Sequence, residues 1–110
     1  MSIGCKKKNT LEPIDSRTQQ ICKKWRIIEY HVNNVSVKLP PDDYIQFNTN
    51  KTYMERKYKV TVSGTWQWQN AQTEIVINSG TWKILTLSNH HLEMEKMNDS
   101  PPQKYILHVF

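Results

Sequence analysis

Apolar and polar residues alternate with a period of two over much of the chain from Trp25 onward. The clearest case is residues 62–69, where Trp66 and Trp68 fall on one side and Thr65 and Gln67 on the other. Extended backbone produces this pattern because it points successive side chains to opposite faces of a sheet. Short runs of the same texture cover residues 25–32, 44–47, 52–58, 74–77, 82–87, 91–96 and 104–110. Between them stand Asn33-Asn34, Pro40-Pro41-Asp42-Asp43, Asn48-Thr49-Asn50-Lys51, Asn70-Ala71-Gln72, Asn78-Ser79-Gly80 and Ser88-Asn89-His90, together with a looser segment, residues 97–103, that contains Pro101-Pro102. These residue types end strands and form turns. The spacing predicts about eight strands joined by short links, so that sequence neighbours pair antiparallel. A meander of this many strands closes on itself, because closure leaves no strand edge unpaired. One helix precedes it: Asp15 or Ser16 can cap, and Ile14, Thr18, Ile21 and Cys22 recur at helical spacing before Lys24. The expected fold is therefore all-β, an eight-stranded antiparallel up-and-down barrel with one short N-terminal helix.

Length supports one domain, since 110 residues can bury one core and hardly two. Four Trp, five Tyr and two Phe supply large burial per residue to a chain of modest apolar content. A membrane-spanning barrel is excluded on strand length: spanning strands need about 9–11 residues with an apolar outer face. Most runs here are shorter, and Glu93 and Glu95 share an outward face. No apolar run is long enough to cross a bilayer as a helix.

The formal charge of +5 first suggests an anionic polymer as partner, but Lys6, Lys7 and Lys8 supply three of those charges ahead of the folded pattern. The domain itself is nearly balanced, and no nucleic-acid partner is expected. The opening Met-Ser-Ile-Gly-Cys-Lys-Lys-Lys resembles the end of a bacterial lipoprotein signal peptide, with Ser2, Ile3 and Gly4 filling the lipobox before Cys5. That resemblance implies lipidation of Cys5 and a lipid-anchored place in the bacterial outer membrane or periplasm. The following lysines would lie against anionic head groups. Residues 1–10 are then a lipobox remnant and tether, and residues 11–110 the barrel domain. A Cys5–Cys22 disulfide is the alternative use of the two cysteines in an oxidising compartment.

Candidate chemistry is sparse. Trp25, Tyr44, Tyr53, Trp66, Trp68 and Trp82 could line a ligand cavity, or they could fill the interior of a compact eight-stranded barrel. Arg26 or Arg56 at the barrel mouth would pair with a carboxylate head. His90 and His91 are adjacent and point to opposite faces, which keeps them from sharing a metal ion, while His31 and His108 lie on the first and last strands, which closure makes neighbours. No positioned base accompanies Ser63 or Ser79, and no glycine-rich phosphate loop occurs. Arg56-Lys57-Tyr58-Lys59 mixes cations with an aromatic ring as nucleic-acid-binding barrels do, but solvated charges on a hairpin account for it more simply. Neither an enzyme nor a cofactor or metal site is expected.

Lys-Lys-Trp-Arg-Ile-Ile after a short helix, Tyr-Ile-Gln-Phe-Asn-Thr-Asn-Lys-Thr-Tyr, Gly-Thr-Trp-Gln-Trp and Leu-Thr-Leu-Ser-Asn-His-His-Leu-Glu-Met together resemble the small bacterial lipocalin-like domains. The likeness runs from Ile14 to Phe110, with Lys23 standing where the family's Gly-x-Trp has glycine and Asn50-Lys51 where its turn glycine falls. It implies that Trp25 closes one end of the barrel, that residues 47–53 form a hairpin and that Gly64 and Trp66 form the fourth-strand motif. It further implies a monomeric, non-catalytic protein that takes a small hydrophobic ligand into its barrel. The alternative is a barrel lipoprotein that binds or inhibits another protein through its loops, with Pro40-Pro41-Asp42-Asp43 and residues 97–103 carrying recognition.

Overall fold

The computed structural model describes residues 15–97 and 101–110; Cys5 and the lipobox and tether expected around it lie outside the described residues. One helix, α1 (Ser16–Ile21), precedes nine strands: β1 (Lys24–Val32), β2 (Val35–Val37), β3 (Tyr44–Phe47), β4 (Thr52–Lys57), β5 (Val60–Gln69), β6 (Glu74–Ile77), β7 (Gly80–Leu87), β8 (His91–Lys96) and β9 (Gln103–Val109). All pairings are antiparallel; β1 and then β3 to β9 follow one another around the wall, and β9 returns to β1. The expected closed eight-stranded barrel is present. The short strand β2 is an addition that the sequence reading passed over.

That ninth strand exists because β1 divides its outer edge. Lys24, Trp25 and Arg26 pair with Gln46, Ile45 and Tyr44 of β3, whereas Tyr30, His31 and Val32 pair with Val37, Ser36 and Val35 of β2. Between the two, the Ile27 N–H donates to the Asp43 carbonyl at 3.2 Å, so the link before β3 covers the fork. Two bulges correct the facing of the wall. Register shifts at Ile28 in β1 and at Leu85 in β7 turn these residues outward and return Tyr30 and Leu87 to the core side.

Strand direction gives the barrel two unlike ends. Helix α1 and the turns 48–51, 70–73 and 88–90 gather at one, the helix end; the β1–β2, β4–β5, β6–β7 and β8–β9 connections gather at the other, the open end. Asp15 caps α1, its carboxylate accepting from the Thr18 N–H at 2.9 Å and the Thr18 hydroxyl at 2.9 Å. The helix seals its end through buried Ile21, whose carbonyl accepts from the Trp25 indole at 3.0 Å, and through Thr18, whose hydroxyl accepts from the Trp68 indole at 2.9 Å. Above it Trp25, Ile45, Phe47, Trp66, Ile75, Leu92, Met94 and Leu107 are almost completely buried and occupy the interior. Phe47 and Trp66 meet edge to face at 5.6 Å, and Trp66 meets Trp68 likewise at 5.7 Å.

Candidate functional site at the open end

Towards the open end the aromatic and aliphatic interior gains polar groups. Alternation along β4 fixes this change: Tyr53 faces the core, so Glu55 and Lys57 face it as well, while Met54 and Arg56 face out. Tyr30 of β1 and Tyr105 of β9 are cross-strand partners with stacked rings 4.9 Å apart, and Trp82 stacks on the other side of Tyr105 at 5.2 Å. The Lys57 ammonium donates to the Tyr105 hydroxyl at 2.7 Å, lies 4.4 Å from the Tyr30 ring centre and stands 3.9 Å from the Glu55 carboxylate. Tyr53 donates its hydroxyl hydrogen to Glu55, and Tyr30 donates to the Gln103 side-chain oxygen at 2.7 Å. Together these groups close the barrel beneath its mouth with a hydrogen-bonded layer.

Burial sets the protonation of that layer. It pushes the Tyr53 phenol well above the ordinary tyrosine value, and the neighbouring Glu55 charge adds to the effect. Tyr105 is raised in the same way, by burial first and then by Glu55, Tyr30, Asp43 and Tyr58. Both phenols therefore remain neutral, Tyr53 donating to Glu55 and Tyr105 accepting from Lys57. Asp43, fully buried just before β3, accepts from the Tyr58 N–H at 3.1 Å through one carboxylate oxygen. Its other oxygen has no hydrogen-bond partner among the described residues. The bond to Tyr58 ties the tip of the β4–β5 hairpin to the fork in β1.

That hairpin overtops its neighbours. Residues 60–64 of β5 pair only with β4, and pairing with β6 begins at Trp66. Val60 lies opposite Lys57 and Val62 opposite Glu55, so both valines share the inward face, yet they are 61% and 47% exposed. Tyr58 at the tip is 52% exposed and Val35 on β2 64%. An apolar wall thus rises above a layer offering an ammonium, a carboxylate and phenols. This is chemistry for recognition: apolar area flanked by oriented hydrogen-bonding groups. No group of three or more His, Cys, Asp or Glu side chains comes together for a metal among the described residues.

The residues singled out by sequence separate into two sets. Trp25, Tyr53, Trp66 and Trp82 are buried in the interior, and half-buried Trp68 packs against them. Tyr44, Arg26 and Arg56 are corrected to the outer wall. Arg26 stacks over the Phe110 ring at 4.7 Å, Arg56 pairs with Asp42 at 3.4 Å, and Tyr44 donates to the Met54 sulfur at 3.3 Å. Parity explains the correction: Arg26 is the immediate neighbour of inward Trp25, Tyr44 of inward Ile45 and Arg56 of inward Glu55. His31 and His108 are also separated, because antiparallel pairing sets His31 opposite Lys104 and His108 opposite Arg26. The histidine pair that does form is His91 with His108, rings 5.0 Å apart. Sequence reading missed Tyr30, Glu55, Lys57 and Tyr105 as a group; counting by twos from Tyr53 and Leu107 reaches three of them, and the bulge at Ile28 hides Tyr30.

Comparison with protein-family models gives no match, and comparison with curated proteins gives none either.

Proposed function

We propose that the domain is a non-catalytic, monomeric binding protein of the bacterial cell envelope, anchored by a lipid on Cys5, that engages a protein partner through the open end of its barrel. One observation carries this reading. Side chains occupy the barrel from Ile21 up to the stacked Tyr30, Tyr105 and Trp82, while Tyr58, Val60 and Val62 stand exposed on a hairpin that rises past its neighbours. An eight-stranded barrel has just enough interior for its own side chains or one small ligand, and here large aromatics take that volume. Exposed apolar residues beside oriented polar groups are what the centre of a protein interface requires. The Pro40–Asp43 link joins the same end through Asp43 and Tyr58.

A second reading, a small hydrophobic ligand, is favoured by the inward facing of Val60 and Val62 above Lys57. An amphiphile could lie along the valines with its acid group towards the ammonium, the role first expected of Arg26 or Arg56. Site-specific photo-crosslinking in the native host envelope separates the two. A crosslinker at Tyr58 or Val60 should give a discrete protein adduct that Val62→Asp abolishes, and one at Lys83 on the wall should give none. If no rim adduct forms and fatty acid instead produces a saturable tryptophan fluorescence change that Lys57→Gln removes, the ligand reading replaces the first.

A further inference from the structure

The helix end gathers more cations than acids among the described residues. Arg17, Lys23, Lys24, Arg26 and Lys51 all belong to it, and none has a carboxylate within ion-pair distance among the described residues. Among the described residues its acidic side chains are Asp15, which caps the helix, and Glu74, which accepts from Gln69 at 3.0 Å, so five cations face two carboxylates, a balance of +3. Turns 48–51, 70–73 and 88–90 add only Asn, Thr, Ala, Gln, Ser and His besides Lys51. Elsewhere on the barrel, cations are interspersed with Glu29, Asp42, Glu55, Glu93 and Glu95, and Arg56, Lys57 and Lys104 are paired.

These cations are held in place. The Lys51 ammonium lies over the Trp66 ring at 4.4 Å, the Arg17 guanidinium over Trp68 at 5.7 Å and the Lys24 ammonium over Tyr44 at 4.3 Å. Among them Phe110 is 49% exposed, with Lys24 at 5.0 Å and Arg26 at 4.7 Å from its ring. An exposed ring flanked by cations suits a bilayer interface, where the ring enters the head-group region and the charges meet lipid phosphates. The chain also enters the fold here. Lys6, Lys7 and Lys8 precede Asp15 by seven to nine residues in the sequence.

We propose that the helix end is a docking surface for an anionic lipid bilayer, presenting the open end to the aqueous side. The inference goes beyond the binding reading and does not depend on it, since it concerns the opposite end of the barrel and operates with or without an acyl chain. A bilayer fits better than a nucleic acid because the cations cover the aromatic faces on which bases would stack.

The test uses the full chain carrying Cys5→Ser, so that acylation plays no part, and vesicles of phosphatidylcholine with or without phosphatidylglycerol. Sedimentation should show binding to the anionic vesicles only, weakening as salt rises. Each cation near an anionic surface is worth about fivefold in partitioning. Lys24→Gln, Arg26→Gln and Lys51→Gln together should therefore weaken binding by roughly a hundredfold. The control triple Lys59→Gln, Lys96→Gln, Lys104→Gln removes the same charge from the open end and should change binding by less than about fivefold. Phe110→Trp should add a blue-shifted emission on anionic vesicles, a readout independent of affinity. Equal losses from both triples would mean net charge alone, and no loss from either would mean the leading lysines alone. A single-stranded oligonucleotide that binds more tightly than the vesicles would point to a nucleic acid. Each of these three results overturns the proposal.

Discussion

Replacing Lys59 by glycine should stabilise the domain, and replacing Lys51 should not. Among the described residues nine that are not glycine have positive φ, including Lys51 at 70°, Tyr58 at 53° and Lys59 at 67°, while neither Gly64 nor Gly80 does. Left-handed backbone costs an L-residue with a side chain about 1–2 kcal/mol. Glycine removes that cost but returns about 0.5–1 kcal/mol through the greater freedom of its unfolded chain. The net gain at Lys59, which has no side-chain hydrogen bond or ion pair among the described residues, is therefore about 0.5–1 kcal/mol, and roughly 2–8 °C in midpoint temperature. At Lys51 the same gain is offset by loss of the ammonium 4.4 Å from the Trp66 ring centre. An exposed contact of that kind is worth about 0.5–1 kcal/mol, so the two terms cancel. The sites lie at opposite ends of the barrel, so their effects should add. Urea denaturation followed by tryptophan fluorescence measures both, provided the m-value stays constant. If Lys59→Gly lowers the midpoint, or if Lys51→Gly gains as much as Lys59→Gly, the account of strain and its offset is wrong.

Gly64→Ala should destabilise by about 1–2 kcal/mol, because the new Cβ overlaps the Asn78 side chain, whose oxygen accepts from the Thr65 N–H at 3.1 Å; adding Asn78→Gly should recover part of that loss in the same denaturation assay. Trp66→Ala should cost about 3–5 kcal/mol, enough to threaten folding, since Trp66 is 2% exposed and its indole also donates to the Asn48 carbonyl at 2.9 Å; a wild-type-like midpoint would contradict the interior placement. The hydrogen bond from His91 at 2.7 Å, set against slight burial and aided by the charge of Lys104, holds the Glu93 carboxyl below the ordinary glutamate value. A depressed folded pKa contributes stability above the unfolded value that is lost as pH falls through the folded one. Glu93→Gln should therefore flatten the acid limb of the stability profile, and an unchanged limb would count against the pair.

Strand positions were largely legible because the turns are built from residues that punctuate strands: β3, β6 and β8 have the expected bounds, and the others differ at their ends. β2 escaped notice because Val35-Ser36-Val37 is only three residues long and its pairing with β1 depends on a fork set by Asp43. Local pattern carries no information about such an arrangement. The site was less legible than the fold. Tyr53 predicts inward Glu55 and Lys57 by parity, but an inward lysine contradicts the usual rule for charges, and only the surrounding Tyr30, Tyr105 and Glu55 make it tolerable. Bulges at Ile28 and Leu85 reverse parity within β1 and β7, so a period-two count started at Trp25 assigns Tyr30 to the wrong face.

The same polar layer determines what the barrel can admit. A ligand passing the mouth would have to part Tyr105 from Tyr30 and Trp82, breaking two ring stacks, and remove the Lys57 ammonium from the Tyr105 hydroxyl. Beneath that layer, almost completely buried Trp25, Phe47 and Trp66 leave the helix end closed. Opening the interior therefore costs several interactions before any apolar contact with a ligand forms, whereas Tyr58, Val60 and Val62 are already exposed and need no rearrangement. Conformational cost thus favours recognition at the rim over recognition inside. The tie between Asp43 and Tyr58 strengthens the preference by holding the hairpin in its raised position before any partner arrives.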